Sequence, residues 1–530
     1  MTEESVDVLV IGSGFGGSIP AYYLAAAGAR VLVLERGPRV ETADLSHSMA
    51  LGSYNRIVDI IQGDGISVVA GNCVGGGSMV YFAASLRAPS FVFERTDSRG
   101  TRIWPNSLTR QTLDPWYDRV EDAIPVQQTD WNHVSYAGGV LAAACKRSGH
   151  TCNPVPVAVD LAKCVNCNWM LSGCAFDAKR TMLHNYLAAA ESHGAEIRSL
   201  HEVQAICPSL KAGYRYAVTY YTLDSDDYSC SSTMSVVHAK TVVLAAGAVG
   251  SPVILQRSNL FLGGVPQAVG KYFSGNGDRV SVARVDEQKV RTLLGISRSD
   301  TVSYQGLPIG RPITAATYDY LNPQSDPFKR FTLQQIYFPP VTNVLAQARG
   351  TPTGWLGIDQ RDLRRQWRSW LTMLAMTEDE NEGNFGAVPL SGSFTRLAPG
   401  IGIGSMKFHA SSRTRQAWDH SDEALRSILE KDALAEVMPW SEKLGGVLTA
   451  HPLGSVRIGD VPATSALDDT HQLRGHPGLF VTDGSAVPSS LTVNPSLTIA
   501  ALAERAAGHV LNQTQEMGVR LTQGAPLPGA

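Results

Sequence analysis

One stretch near the N-terminus constrains this chain more than any other: VDVLVIGSGFGGSIPAYYLAAAGARVLVLERG, residues 6–37. The apolar, β-branched run Val6 to Ile11 predicts a buried parallel strand. It meets Gly12-x-Gly14-x-x-Gly17, continues into a helix of small residues, and returns as a second strand, Arg30 to Leu34, closed by Glu35. That order has a physical reading. Gly12 permits a sharp turn, Gly14 lets backbone N–H groups approach a pyrophosphate, and Gly17 lets the helix pack closely on the strand. The phosphate would rest on the positive end of that helix. Glu35, 18 residues beyond Gly17, is placed to accept hydrogen bonds from a ribose diol. Strand, glycines, helix, strand and acid in register predict a dinucleotide site.

The glycines alone leave NAD and FAD both open. Arg36 could meet a 2′-phosphate, but an acid at the end of the second strand disfavours that group. At 530 residues the chain exceeds one ordinary core, so two or more domains are expected. It is 44% hydrophobic and 18% charged with a net charge of −3, which argues against a nucleic-acid partner. No window approaches the ~20 apolar residues of a membrane span. The start, MTEESVDVLV, has no basic region ahead of an apolar one, so a cytoplasmic location is expected. Three of the eight cysteines form Cys164-x-x-Cys167-x6-Cys174, close to a ferredoxin run, but Met170 stands where a third ligand belongs. A cubane cluster needs four thiolates, so a loop of small thiols is the preferred reading and no metal is expected.

Further along, Gly71 to Pro89 (GNCVGGGSMVYFAASLRAP) is dense in glycine. LDPWYDRVEDAI predicts an amphipathic helix with Asp114 as N-cap. Residues 178–205 predict a helix, a Gly and a strand, and Tyr214–Tyr221 and Ser235–Val243 alternate as strands. The second of these leads into a helix expected to start at Pro252, and a long helix starts at Pro495. Residues 290–440 differ, with long loops and many aromatics (Tyr304, Tyr318, Tyr320, Phe331, Tyr337, Phe338, Trp355, Trp367, Trp370), which read either as an apolar substrate pocket or as a packed core.

Taken together, VIGSGFGG, GNCVGGGSMVYFAASLRAP, VVLAAGAVGSPVIL, TAHPLGSVRIG and GLFVTDGSAVPSSLTVNPSLTIAALAER resemble the glucose–methanol–choline (GMC) flavoprotein oxidoreductases, on the branch that includes bacterial cholesterol oxidases. The resemblance covers nearly the whole chain. It implies an α/β FAD-binding, Rossmann-like domain assembled from discontinuous segments, plus an α+β substrate-binding domain with a multistranded sheet. The expected division is 1–40, 196–290 and 446–530 for FAD binding, 41–195 as a mixed segment, and 291–445 for substrate. It also implies non-covalent FAD, because Gly71, Asn72 and Cys73 stand where some relatives carry an attachment His. The implied cofactor residues are Gly12, Gly14, Phe15, Gly16, Gly17, Glu35 and Arg36, then Gly71, Gly75, Gly76, Gly77 and Ser78, then Val203, Ala246, Gly247 and Ser251, and finally Asp483, Gly484, Asn494, Pro495 and Ser496.

His451 and Asn494 are the implied catalytic pair. Oxidising an alcohol on a flavin needs a group to hold the hydroxyl and one to take its proton, and a neutral imidazole suits both. This chain departs from the common motif at Ser455 and Val456, just past the His. The expected activity is that of an FAD-dependent alcohol oxidase or dehydrogenase acting on a bulky apolar secondary alcohol, with O2 or another redox partner as acceptor. Cholesterol oxidases also move a double bond with a glutamate, and RFTLQQIYFPP best resembles that region. Gln335, or Gln334 given an alignment uncertain by one, would then line the substrate pocket with Tyr337 and could not shuttle the proton. Glu378, Glu380 and Glu382 read as a solvated turn. Two alternatives remain at this point: a lyase or isomerase that keeps FAD without net redox, and an NAD(P)-dependent reductase.

Overall fold

The computed structural model describes residues 3–45, 57–226, 230–231, 233–297, 303–304, 307–308, 310–337, 369–386, 406–439 and 446–522. Its N-terminal unit forms as its sequence predicts. Strand Glu3–Ile11 ends at Gly12, helix Phe15–Ala26 starts from Gly14, and strand Val31–Leu34 returns parallel to the first. Val8, Leu9 and Val10 are fully buried, as a strand covered on both faces requires. Around them lies a seven-stranded sheet in the order Glu196–Arg198, Val31–Leu34, Glu3–Ile11, Ser235–Leu244, Tyr216–Thr222, His201–Pro208, with Leu479–Val481 also pairing with Ser235–Leu244. The pairings among the first four strands and with Leu479–Val481 are parallel, and the remaining pairs form an antiparallel meander. Helix Ser496–Glu516 packs on helix Phe15–Ala26.

A second sheet has six strands in the order Ala435–Pro439, Asp278–Val285, Trp370–Thr377, Phe331–Ile336, Ala315–Thr317, Asn153–Pro154, all antiparallel. Strand Asp278–Val285, expected with the nucleotide-binding part, belongs here, so this sheet begins well before residue 291. One face packs under helices Tyr136–Arg147 and Ser412–Leu429 through Phe331, Leu333, Leu371 and Met373. The other carries Val280, Val282, Ile336 and Leu374 and turns towards the nucleotide-binding unit. A small three-stranded sheet joins hairpin Val58–Gln62/Ile66–Gly71 to Val447–Thr449.

Two helix starts differ from expectation. The helix containing Asp114 runs Arg110–Ala123, because the Thr109 side chain accepts the Thr112 N–H and caps it five residues earlier. Asp114 instead pairs with Arg87 and Arg110. Likewise Pro252 sits inside helix Gly247–Ser258, which starts earlier because Asp483 accepts the Gly247 N–H at 2.7 Å. Trp355, Trp367 and Phe338 lie outside the described residues, as does the side chain of Tyr304. Tyr320 and Phe331 stack with centroids 4.5 Å apart and pack with the helix-side cluster, so for these two the packed-core reading holds.

Candidate active site

A cavity of about 950 Å³ runs between the two large sheets. Three helices direct their N-termini at it: Gly14 to Gly16, Ala246 to Ala248, and Asn494 to Ser496 all line its wall. Their aligned dipoles make a positive environment suited to a diphosphate and to negative charge on a ring. At one end stand Glu35, Arg36, His201 and Val203; at the other, His451 and Asn494 face Val280, Ile313, Ile336 and Leu374 of the substrate sheet.

The polar pair is assembled from three distant segments. Strand Val447–Thr449, held parallel to Ile66–Gly71, delivers His451. The segment preceding helix Ser496–Glu516 delivers Asn494, whose Nδ2 lies 3.2 Å from His451 Nε2. The third participant is Asp278, the first residue of its strand, whose Oδ1 is 2.9 Å from His451 Nδ1. Thr449 Oγ1 lies 2.8 Å from Asp278 Oδ2 and accepts the His451 N–H at 2.9 Å. Asn494 Oδ1 is buried without a hydrogen-bond partner, which leaves an acceptor at the cavity wall.

The cofactor end is built largely from backbone. A Cβ placed on Gly77 or Gly247 would meet no protein atom within 4 Å, and one on Gly14 would meet only the Gly76 Cα, at 3.9 Å. These glycines therefore leave room beside the cavity. Glu35 accepts the Ser13 N–H and hydroxyl at 3.0 and 2.6 Å and the Gly37 N–H at 2.9 Å, which fixes its carboxylate at the cavity edge.

Comparisons with known proteins show the family. Two sequence profiles of GMC oxidoreductases, N-terminal and C-terminal, match residues 6–274 and 359–503. The chain belongs to the GMC oxidoreductase family. It is 27% identical to a cholesterol oxidase of Mycobacterium tuberculosis H37Rv, over 98% of this chain and 93% of that relative. It is 25% identical to a long-chain-alcohol oxidase of Arabidopsis thaliana, over 96% of this chain and 68% of the relative. A formate oxidase structure from Aspergillus oryzae superposes with a TM-score of 0.65 at 15% identity, covering 97% and 99% of the two chains.

As a GMC oxidoreductase, the protein is an FAD-dependent enzyme, which sets aside the nicotinamide alternative. The residues present fit that cofactor: an open glycine cradle, three helix N-termini and an acid, Glu35, fixed at the cavity edge where it could accept from a ribose diol. Gly12, Gly71, Gly76, Asp483, Gly484, Pro495 and Ser496 join the residues already named along the wall. Arg36 lines it too, held by Asp59 at 2.5 Å.

Four of the expected cofactor residues stand behind the wall. A Cβ on Gly17 would lie 2.0 Å from the Gly12 carbonyl oxygen, so Gly17 serves helix packing. Gly75 has φ +95° and Ser78 bonds the Gly75 carbonyl and the Met182 N–H, so both shape the loop. Ser251 donates to Asp483, which also accepts from Gly247 and Ser485. Burial raises the Asp483 carboxyl above its usual range, against these hydrogen bonds.

The substrate-side expectations need correction. Residues 331, 333 and 335 share the helix-side face, and Gln335 spends its amide there. Its Oε1 accepts from Thr314 N and Oγ1 and from Ala315 N, and its Nε2 donates to Pro312 O at 2.7 Å. Gln334 shares the cavity-side face with Ile336 and pairs across the sheet with Leu374 and Ala316, its amide buried and unpartnered. Neither glutamine nor Tyr337 is among the residues lining the cavity. Of the stretch beginning at Glu378, Glu380 is exposed and Glu382 half-buried, but Glu378 is 1% exposed and pairs with Arg95 at 2.8 Å, and Asp379 is fully buried, which pushes its carboxyl up to about 7.

Sequence reasoning missed Ser13, Asp278 and Lys179. Lys179 is 2% exposed, and its ammonium donates to the carbonyls of Met79, Tyr81 and Met170, bracing the loop that carries Val80 and Tyr81 to the cavity. Burial lowers its pKa to about 7. Cys164, Cys167 and Cys174 are free thiols, and among the described residues no group of three or more His, Cys, Asp or Glu could hold a metal. No described helix is long and apolar enough to cross a membrane.

Proposed function

We propose that this FAD-dependent alcohol oxidase or dehydrogenase oxidises a bulky apolar secondary alcohol, sterol-like or natural-product-like, to its ketone without moving a double bond. The observation that carries the reading is one polar corner, His451 with Asn494, facing an aliphatic wall of Val280, Ile313, Ile336 and Leu374. FAD, when bound, supplies the hydride acceptor. His451 Nε2 accepts the hydroxyl proton, and Asn494 Nδ2 donates to the same oxygen and orients the carbinol carbon. The apolar wall selects substrate by area removed from water, at about 25 cal/mol per Å². That cholesterol oxidases and a long-chain-alcohol oxidase are among the relatives supports an apolar substrate.

Support for oxidation without isomerisation comes from the carboxylates. Among the described residues, the one carboxylate lining the His451 end on the substrate sheet is Asp278, already engaged by His451 and Thr449. The test is anaerobic addition of a 3β-hydroxy-5-ene steroid to the yellow protein. Bleaching with an unconjugated ketone as product is expected, and His451→Ala should slow it by about 10²–10⁴-fold with FAD retained. Conjugated enone formed as fast as the flavin bleaches overturns the second half of the reading. Absence of bleaching with both the steroid and a long-chain primary alcohol overturns the substrate class.

A further inference from the structure

Asp278 faces His451 from the substrate sheet, with its Oδ1 2.9 Å from Nδ1. Asp278 is 2% exposed, and its neighbours hold it from several directions. It follows a tight turn, Ser274–Gly277, in which Asn276 has φ +58° and is fully buried. Asn276 Oδ1 accepts the Leu491 N–H at 2.7 Å, and its Nδ2 donates to the Val493 carbonyl at 3.0 Å. The same turn therefore grips the segment that ends in Asn494. Asp379 Oδ2 accepts from Ser274 Oγ at 2.6 Å and from Gly277 N at 3.1 Å, anchoring the turn from behind. Thr449 Oγ1, 2.8 Å from Asp278 Oδ2, fixes the second carboxylate oxygen.

We propose that Asp278 is a positioning residue that sets the tautomer of His451, and that the Ser274–Asp278 turn thereby couples the substrate sheet to the proton-accepting nitrogen. An ionised carboxylate only accepts hydrogen bonds, so the 2.9 Å contact requires the proton on His451 Nδ1. The neutral ring then presents a bare Nε2, and Asn494 Nδ2, 3.2 Å away, donates to it. That assignment turns Asn494 Oδ1 away from the ring, in agreement with its lack of a partner. A substrate hydroxyl arriving between the two side chains finds an acceptor on His451 and a donor on Asn494. Once Nε2 has taken the proton, the imidazolium lies against the Asp278 carboxylate, which stabilises it. Without the carboxylate either tautomer is available, and the one carrying the proton on Nε2 cannot act as base.

The inference rests on His451 being the base, so the experiment separates the two claims. Holoenzyme is labelled with ¹⁵N-histidine, and the His451 signals are identified by their absence in His451→Ala. The wild type should show Nδ1 protonated and Nε2 unprotonated. Asp278→Asn should populate the opposite tautomer while the flavin content and visible spectrum stay unchanged. Should Asp278→Asn not fold, Thr449→Val, which removes the hydroxyl at Asp278 Oδ2 together with the acceptor of the His451 N–H, should shift the same signals in the same direction. Wild-type protein with the proton on Nε2, or a tautomer unmoved in the variants, overturns the inference whatever the substrate. In the steroid assay, Asp278→Asn should slow flavin bleaching by about 10²-fold or more at saturation, with little change in half-saturating concentration. Loss of rate in His451→Ala but not in Asp278→Asn leaves the base assignment standing and overturns the role given to Asp278. Equal, near-normal rates in both overturn the base assignment itself.

Discussion

The two ends of the cavity are made in different ways. At the end lined by Glu35 and Arg36 much of the wall is backbone, and Gly14, Gly77 and Gly247 leave open space where a Cβ would stand. At the other end the wall is formed by side chains that meet from residues 278, 451 and 494, each fixed by a partner far away in sequence. Backbone sites tolerate no added atoms but ask little of their surroundings. Side-chain sites depend on a scaffold that orients them.

The contrast is tested most severely by two substitutions within one glycine fingerprint. Gly17→Val should give insoluble or unfolded protein, because its Cβ would lie 2.0 Å from the Gly12 oxygen and 3.1 Å from Val10, a collision with backbone that cannot move aside. Gly14→Val should stay folded by circular dichroism yet lack flavin absorbance, since the added atoms enter only the cavity. A yellow Gly14→Val protein, or a soluble Gly17→Val one, would break the distinction between packing glycines and cofactor glycines.

A smaller effect concerns how the nucleotide side resists acid. His471 is fully buried, hydrogen-bonds the Val481 carbonyl through Nδ1 at 3.0 Å, and has its pKa lowered to about 3 by burial and by Arg505. Its folded-state value lies below the unfolded one, so its contribution to stability is complete above about pH 6.5 and fades as pH falls towards 3. The loss is on the order of 5 kcal/mol at most. Denaturant titrations from pH 7 to pH 4 should show a slope that His471→Gln flattens; an unchanged slope would remove His471 from the account.

The smallest effects sharpen the comparison on the substrate sheet. Gln335→Ala strands the N–H groups of Thr314 and Ala315 and should destabilise by about 1–3 kcal/mol. Gln334→Leu replaces an unpartnered amide and should be neutral or slightly stabilising. Reversal of that order in chemical denaturation would mean that the two faces of strand Phe331–Ile336 are assigned wrongly.

Much of the nucleotide half was legible in the sequence for a physical reason. Its glycines, strands and acid are contiguous, and each has a local cause: a sharp turn, a close approach, a helix start. The helix beginning after Pro495 and the partnership of His451 with Asn494 were legible through resemblance to a family. Asp278 was not, because SGNGD carries no periodic signal and its meaning comes from Thr449 and His451. The charged stretch around Glu378 misled for the same reason. Its burial depends on Arg95, Ser274 and Gly277, none of which is near it in sequence. Gln335 illustrates the period-2 rule of strands: a shift of one residue exchanges the helix face for the cavity face.

The pairing of Leu479–Val481 with Ser235–Leu244 has a consequence for how the enzyme comes into being. Translation delivers the glycine fingerprint long before that strand and Asn494, which follow it in the chain. Until then the nascent chain holds a sheet with a missing neighbour and a His451 with no amide beside it. A chain translated only as far as His451 therefore lacks both the Asn494 amide beside that ring and one parallel neighbour of the central strand.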